Sequence, residues 1–386
     1  MKTDKQLEQL IDPIVEVYQQ VEMDLLMTIA NKFDIYEKVG VSRSLEWWLK
    51  KYDQLSGLNA EAVDIIAKHS NIPKKQIVDM LKEAGFANVD KEIVDLAFEH
   101  KLAKVNFDTL MESPIFNEII NNSYIELKDT FKMINTSAVE AAKQSYMNVL
   151  DTAYAQVSAG IYDYNTAIKK ALVNMVDSGI KTVNYIQENG TVRSYTLEGT
   201  IRRDLTTAVF QMANRGSDAV IDELKADYVE VSSHDNARTN DKSQIANHAG
   251  WQGRVYKLVG FDENYENFYT QCGEGDIQGF GGVNCKHRKF AFFPGISNPT
   301  FKHYDEEESN KKYELTQQQR SLERQIRGYK KRIVLAREIK DEQLFKKSNI
   351  KLRKKQKLLR EHISENNLVR QPERERVYGF DVKRGS

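Results

Sequence analysis

The chain has 386 residues, 40% hydrophobic and 29% charged, with 56 Lys+Arg against 56 Asp+Glu. That length accommodates two or three domains, and the composition excludes a disordered chain. A net charge of zero excludes a molecule that attracts nucleic acid over its whole surface, so any electrostatic role must come from uneven placement of charge. The only cysteines, Cys272 and Cys285, are too few for a disulfide framework, which predicts synthesis in a reducing cytoplasm. The N-terminal residues lack the apolar stretch of a secretory signal, and no run approaches the roughly 18 apolar residues of a membrane span.

In chain order, Leu7, Leu10, Ile11, Ile14, Tyr18, Val21, Leu25 and Ile29 recur at three- and four-residue steps. They predict a helix over 4–36 with a break at Asp12-Pro13. A short aromatic helix follows Ser44 and carries Trp47 and Trp48. Asn59 is expected to cap a helix ending at His69. Pro73 is expected to open another that stops with Gly85 as its C-cap. Segments 90–105 and 114–135 read as two more helices, so 1–135 reads as an all-helical N-terminal domain.

Helical periodicity continues through 136–177, interrupted at Gly160 and stopped at Gly179. Val183, Tyr185 and Ile186, then Asn189-Gly190, then Val192, Tyr195 and Leu197 predict a hairpin. A helix from Glu198 to Leu224 and a strand at Tyr228–Val231 come next. Residues 232–303 gather histidine, glycine, aromatic residues and both cysteines around short strand signals such as Arg254–Leu258. This is a loop-rich α+β segment closing a core that spans 136–303. Residues 304–386 read as a coiled-coil-like helix and a polar tail, with Leu315, Leu322, Ile326, Tyr329, Ile333 and Ala336 on the seam. Within 311–363 there are 18 Lys+Arg and 6 Asp+Glu, which leaves the rest of the chain acidic by 12. The predicted class is α+β, predominantly α.

The segment 228–301 carries His234, Ala237 and Arg238, then His248-Ala249 and Trp251-Gln252-Gly253. A glycine loop leads to Gly282-Val283-Asn284-Cys285-Lys286-His287 and Phe292-Phe293-Pro294-Gly295. In these residues the chain resembles the phage minor capsid proteins of the minor capsid protein 2 type, related to the Mu F-like head morphogenesis proteins. The signature comprises His234, Arg238, His248, Trp251, Gly253, Asn284, Cys285 and His287. The resemblance implies a structural, non-enzymatic virion component with no cofactor, made in the host cytoplasm and placed inside the phage head near the portal vertex. It implies portal protein and major capsid or scaffold protein as partners, with packaged double-stranded DNA a further one. Where many Mu F-like proteins have a second cysteine near the Asn-Cys motif, this chain has His287.

Read as chemistry, His234, Arg238 and His248 suit acid–base cleavage of a phosphodiester, the alternative of a nuclease or toxin-like enzyme. They equally suit a hydrogen-bonded brace on loop carbonyls and on carboxylates such as Asp235 and Asp241, and the missing catalytic spacing favours the brace. His248, Cys272, Cys285 and His287 have the side chains of a zinc site, but no CxxC or HxxxH pair is present, so the reading is no metal. The glycine loop 273–282 carries Glu274 and Asp276, which repel phosphate. Trp251, Phe290, Phe292 and Phe293 are expected to fill the small core. On the basic helix, Lys330, Lys331, Arg332, Lys346, Lys347, Arg353, Lys354 and Lys355 are the residues that would meet DNA phosphates.

Overall fold

The computed structural model describes residues 2–382 except Asp90, His100, Leu102 and 187–190. The chain divides into two compact units, each assembled from three stretches of sequence. One comprises Met1–Asp12, Pro73–Asp129 and Arg202–Gln317; the other comprises Pro13–Ile72, Thr130–Ile201 and Gln318–Ser386.

The expected helix over 4–36 is two helices, α1 (Asp4–Gln9) and α2 (Asp12–Asn31). Thr3 and Gln6 form a capping box at α1. Pro13 falls in the first turn of α2, where its missing N–H costs nothing. Next come α3 (Ser44–Tyr52), α4 (Leu55–His69) and α5 (Lys74–Gly85). Helix α4 starts four residues before Asn59 because Leu58, fully buried, anchors an additional turn. Gly85 is the last helical residue of α5 and the cap is Phe86 in a right-handed conformation, so Gly85 is not the left-handed cap expected of it. A Cβ on Gly85 would lie 2.8 Å from the side chains of Met212 and Phe116, and one on Gly216 would lie 2.0 Å from the Gly85 carbonyl oxygen. The glycine therefore serves close helix packing.

Helices α6 (Lys91–Glu99) and α7 (Phe107–Met111) lead into α8 (Pro114–Ser158). The segments 114–135 and 136–158 are one helix, since no Gly or Pro interrupts them and the buried stripe runs on through Ile134, Ala138, Ala142 and Tyr146. Asp163 caps α9 (Tyr164–Ser178), which stops at Gly179. The hairpin pairs β1 (Lys181–Ile186) with β2 (Val192–Thr196) in antiparallel register, Ile186 opposite Val192. The Asn189-Gly190 turn lies outside the described residues. Helix α10 (Leu197–Leu224) follows.

In the first unit, β3 (Tyr228–Val231) is the centre of an antiparallel sheet, with β4 (Val255–Lys257) and β5 (Lys289–Phe292) on its two edges. Short helices α11 (His248–Trp251) and α12 (Phe268–Cys272) lie in the connections. Val229, Val231, Trp251, Tyr256, Phe268 and Phe280 form the core with both cysteines. Phe292 is buried and Phe293 packs on the cluster, while Phe290 stacks on Phe301 at 5.3 Å. Glu230, in the middle strand, is buried and accepts hydrogen bonds from the backbone N–H groups of Thr300 and Phe301 at 2.6 and 2.8 Å.

The basic segment, expected as one long helix, is two: α13 (Glu306–Glu338) and α14 (Glu342–Glu365). Lys340 adopts a positive φ, and the Asp341 side chain accepts from the Leu344 N–H to cap α14. Ile326 and Ile333 share a cluster with Leu352 and Leu359. Phe345, Leu352 and Leu359 repeat the seven-residue spacing of Leu322 and Tyr329, so the seam read from the sequence is closed by the chain's own next helix. The fold is α+β and predominantly α, as the sequence implies. Among the described residues no helix is long and apolar enough to cross a membrane.

Candidate functional site

Two features of the sequence invite a functional reading: the histidine cluster of the first unit and the basic helices.

His234 follows β3, His248 opens α11, and Cys285 and His287 precede β5. The fold brings these distant positions together. Ring centroids of His234 and His287 are 4.6 Å apart, those of His248 and His287 5.2 Å, and Trp251 lies 4.7 Å from His287. His248 and His287 are each only 2% exposed. The His248 Nε2 faces the Gln278 carbonyl at 2.8 Å, and Trp251 donates to the Ile245 carbonyl at 3.0 Å. Arg238 donates to the Val283 carbonyl at 3.2 Å. Gly253 turns with φ +64°, where a Cβ would sit 2.7 Å from the Lys302 carbonyl oxygen. Asn284 adopts φ +57°, and its N–H donates to the Thr207 hydroxyl.

The carboxylate that meets the cluster is Asp4, not Asp235 or Asp241. Asp4 lies 3.0 Å from His234 Nδ1 and 3.0 Å from an Arg288 nitrogen. Burial alone would raise the Asp4 carboxyl, but His234, Arg288 and Lys286 outweigh it and hold the group below its ordinary range. Lys286 also pairs with Glu8. Gln252, fully buried, binds His234 twice: its Oε1 accepts from the His234 N–H at 2.7 Å and its Nε2 donates to the His234 carbonyl at 3.0 Å. Nothing local in the sequence marks Asp4, which sits 230 positions before its partner. Gln252 lies within the Trp-Gln-Gly motif, but its role becomes visible only in the fold.

Burial, then the neighbouring Arg238 charge, pushes the His248 imidazole down to about 4. Burial also holds His287 well below its usual range, with His234, His248 and Arg238 adding to the effect. Both rings are therefore neutral near pH 7 and unsuited to donating a proton as imidazolium. The first unit has a cleft of about 230 Å³ lined by residues that include Asn247, Trp251, Arg254 and Glu266, and none of His234, Arg238, His248 or His287 lines it. The cluster is arranged as an internal brace rather than as a substrate-facing set.

The glycine loop is folded on itself. A Cβ on Gly279 or Gly282 would collide with backbone oxygens at 2.2 and 2.4 Å. Its Glu274 is held by the buried Lys289 at 2.6 Å.

The eight basic residues selected from the sequence fall into two groups. Those on α13 are engaged internally. Lys330 is buried and holds Asp381 at 2.8 Å, Lys331 holds Glu22 at 2.6 Å, and Arg332 forms a two-pronged pair with Asp177. Those on α14 face water. Lys347, Arg353 and Lys354 are exposed and Lys355 is half-buried, and none of them has an ion pair to a described residue; Lys351 and Arg360 are alike. Lys346 reaches only an exposed Glu342 one turn away, at 3.7 Å. Helix α14 carries eight Lys+Arg and three Glu, with its apolar residues turned to the shared cluster.

Comparison with known proteins gives a consistent answer. The chain matches the family described as phage minor capsid protein 2 over residues 3–364. A structural protein of Lactococcus phage LL-H is 28% identical over 354 residues, covering 86% of this chain and 89% of the relative. A structural protein of Lactococcus phage mv4 is 36% identical over 118 residues, 30% of this chain and 95% of the relative. No solved structure matches. With nearly the whole chain covered, this protein belongs to the phage minor capsid protein 2 family.

Proposed function

We propose that this phage structural protein is a non-enzymatic component of the head near the portal vertex, assembling with portal protein and with major capsid or scaffold protein. In this reading the outer face of α14 lies against packaged double-stranded DNA. The observation that carries it is the difference in pairing along the basic segment: Lys330, Lys331 and Arg332 of α13 are paired within the fold, while Lys347, Lys351, Arg353, Lys354 and Arg360 on α14 are left to an external anion. A duplex offers a phosphate row that such a face meets without reading bases, releasing counterions as it binds. The buried histidine cluster fits a bracing role, and no observation favours the nuclease alternative.

Retention of the full chain on duplex DNA at increasing salt tests the DNA interaction. Retention should fall steeply with salt, and replacing Lys347, Lys351, Arg353 and Lys354 by Ala should reduce the slope of log K against log salt by up to about 3.6, about 0.9 for each phosphate no longer neutralised. Equal slopes for the two proteins would remove the DNA role. Co-purification of portal protein with the tagged chain from infected cells tests the assembly role.

A further inference from the structure

We propose that His248, Cys285 and His287, joined by His234, form a binding site for a divalent transition-metal ion of the zinc class. One side-chain atom from each of His248, Cys285 and His287 lies within 4.8 Å of the others, and all three residues are buried. Cys285 Sγ and His287 Nδ1 are 3.7 Å apart. Two ligands of one tetrahedral zinc ion, bonded at about 2.3 and 2.0 Å, lie at nearly that separation.

The hydrogen bonds fix which ring nitrogen is available. A carbonyl only accepts, so His248 donates from Nε2 to Gln278 and keeps its Nδ1 lone pair. The Gln252 amide is oriented by its two bonds to the His234 backbone, so its Oε1 accepts from His287 Nε2 at 3.1 Å, leaving the His287 Nδ1 lone pair beside the thiol. His234 gives its Nδ1 proton to Asp4, and its Nε2 is buried with no hydrogen-bond partner. His248 and His287 thus each have one nitrogen engaged by an oxygen acceptor and the other unprotonated, the arrangement that outer-sphere partners impose on metal-bound histidines, and the His234 ring is likewise held by a carboxylate at Nδ1. His234 lies outside the tight group of three and completes a Cys1His3 set by a side-chain movement toward His287.

Cys272 does not belong to this site. It is buried in the sheet core against Tyr256. Of the four zinc-type residues picked from the sequence, three stand together here, and His234 takes the place of Cys272.

Imidazole and thiolate together select zinc-like ions over magnesium or calcium. On binding, the Cys285 S–H bond breaks, its proton passes to solvent and the sulfur forms the metal bond, with no change of oxidation state. The thiolate and Asp4 offset the ion's charge, and Arg238 opposes it. The ion would tie the loop after β3 and the start of α11 to the segment entering β5, beside the apolar core.

Cobalt(II) is the probe. The full chain, stripped with chelator, should take up stoichiometric cobalt with visible tetrahedral bands and a near-ultraviolet thiolate-to-cobalt band. Because the chain has only two cysteines, persistence of that band in Cys272→Ser assigns it to Cys285 even where Cys285→Ser fails to fold. Asp4→Asn should keep the band and weaken affinity about 10- to 100-fold, read by competition with a chromophoric chelator. Absence of a thiolate band at saturating cobalt with helical circular dichroism intact, or its disappearance in Cys272→Ser, would overturn the site.

Discussion

Helices α13 and α14 are both basic in sequence, yet the fold treats their charges in opposite ways. Lys330 and Lys331 are drawn inward onto Asp381 and Glu22, and Arg332 pairs with Asp177, whereas the cations of α14 remain in water. A count of lysines and arginines does not separate these cases. What separates them is whether a carboxylate from elsewhere in the chain arrives at the same place. Buried pairs fix the fold, and exposed charges stay available for a partner.

The sharpest way to break this comparison is to remove one half of a buried pair. Glu22 is 1% exposed and accepts both Lys331 and the Ile180 N–H. Glu22→Ala strands Lys331 and should cost about 3–5 kcal/mol in denaturant unfolding. Lys354→Ala, on α14, should change stability by no more than about 0.5 kcal/mol. Similar costs for the two would show that α13 is no more internally committed than α14.

A second, smaller effect concerns the neutral histidines. The folded pKa of His248 is lowered, to about 4, against roughly 6.5 when unfolded. The unfolded chain therefore binds the proton first, and stability is full above about pH 6.5 and declines as pH falls toward 4. For the metal-free chain this predicts a decrease on the order of 2 kcal/mol between pH 7 and pH 5 from His248, with His287 acting in the same direction. His248→Gln should flatten the profile. A stability independent of pH over that window would mean the rings are not held neutral by burial.

Much of the architecture was legible because helical and strand periodicities are local. The positions of α9, α10, β3 and β4, the antiparallel hairpin and the helical seam of α13 all follow from residues close in sequence. The seam's partner was not read: Phe345, Leu352 and Leu359 repeat its spacing, but the three-residue corner at Ile339–Asp341 carries no Gly or Pro to announce it, so the segment read as one helix. The charge partners were not readable. Glu22 and Lys331 are 309 positions apart, and Asp4 meets His234 only after the N-terminal segment joins the later α+β stretch. Gly85 shows the same limit: its position at a helix end suggests a cap, while the space for a side chain there is taken by Met212 and Phe116, both distant in sequence.

The smallest structural perturbation gives the most direct functional test. A photocrosslinking residue placed at the exposed Lys354 of α14, and separately at the exposed Lys311 of α13, leaves the buried pairs intact. In DNA-filled heads, irradiation should join position 354 to DNA and leave position 311 without DNA adducts. Adducts from position 354 to protein alone, in heads that contain the full genome, would contradict the account.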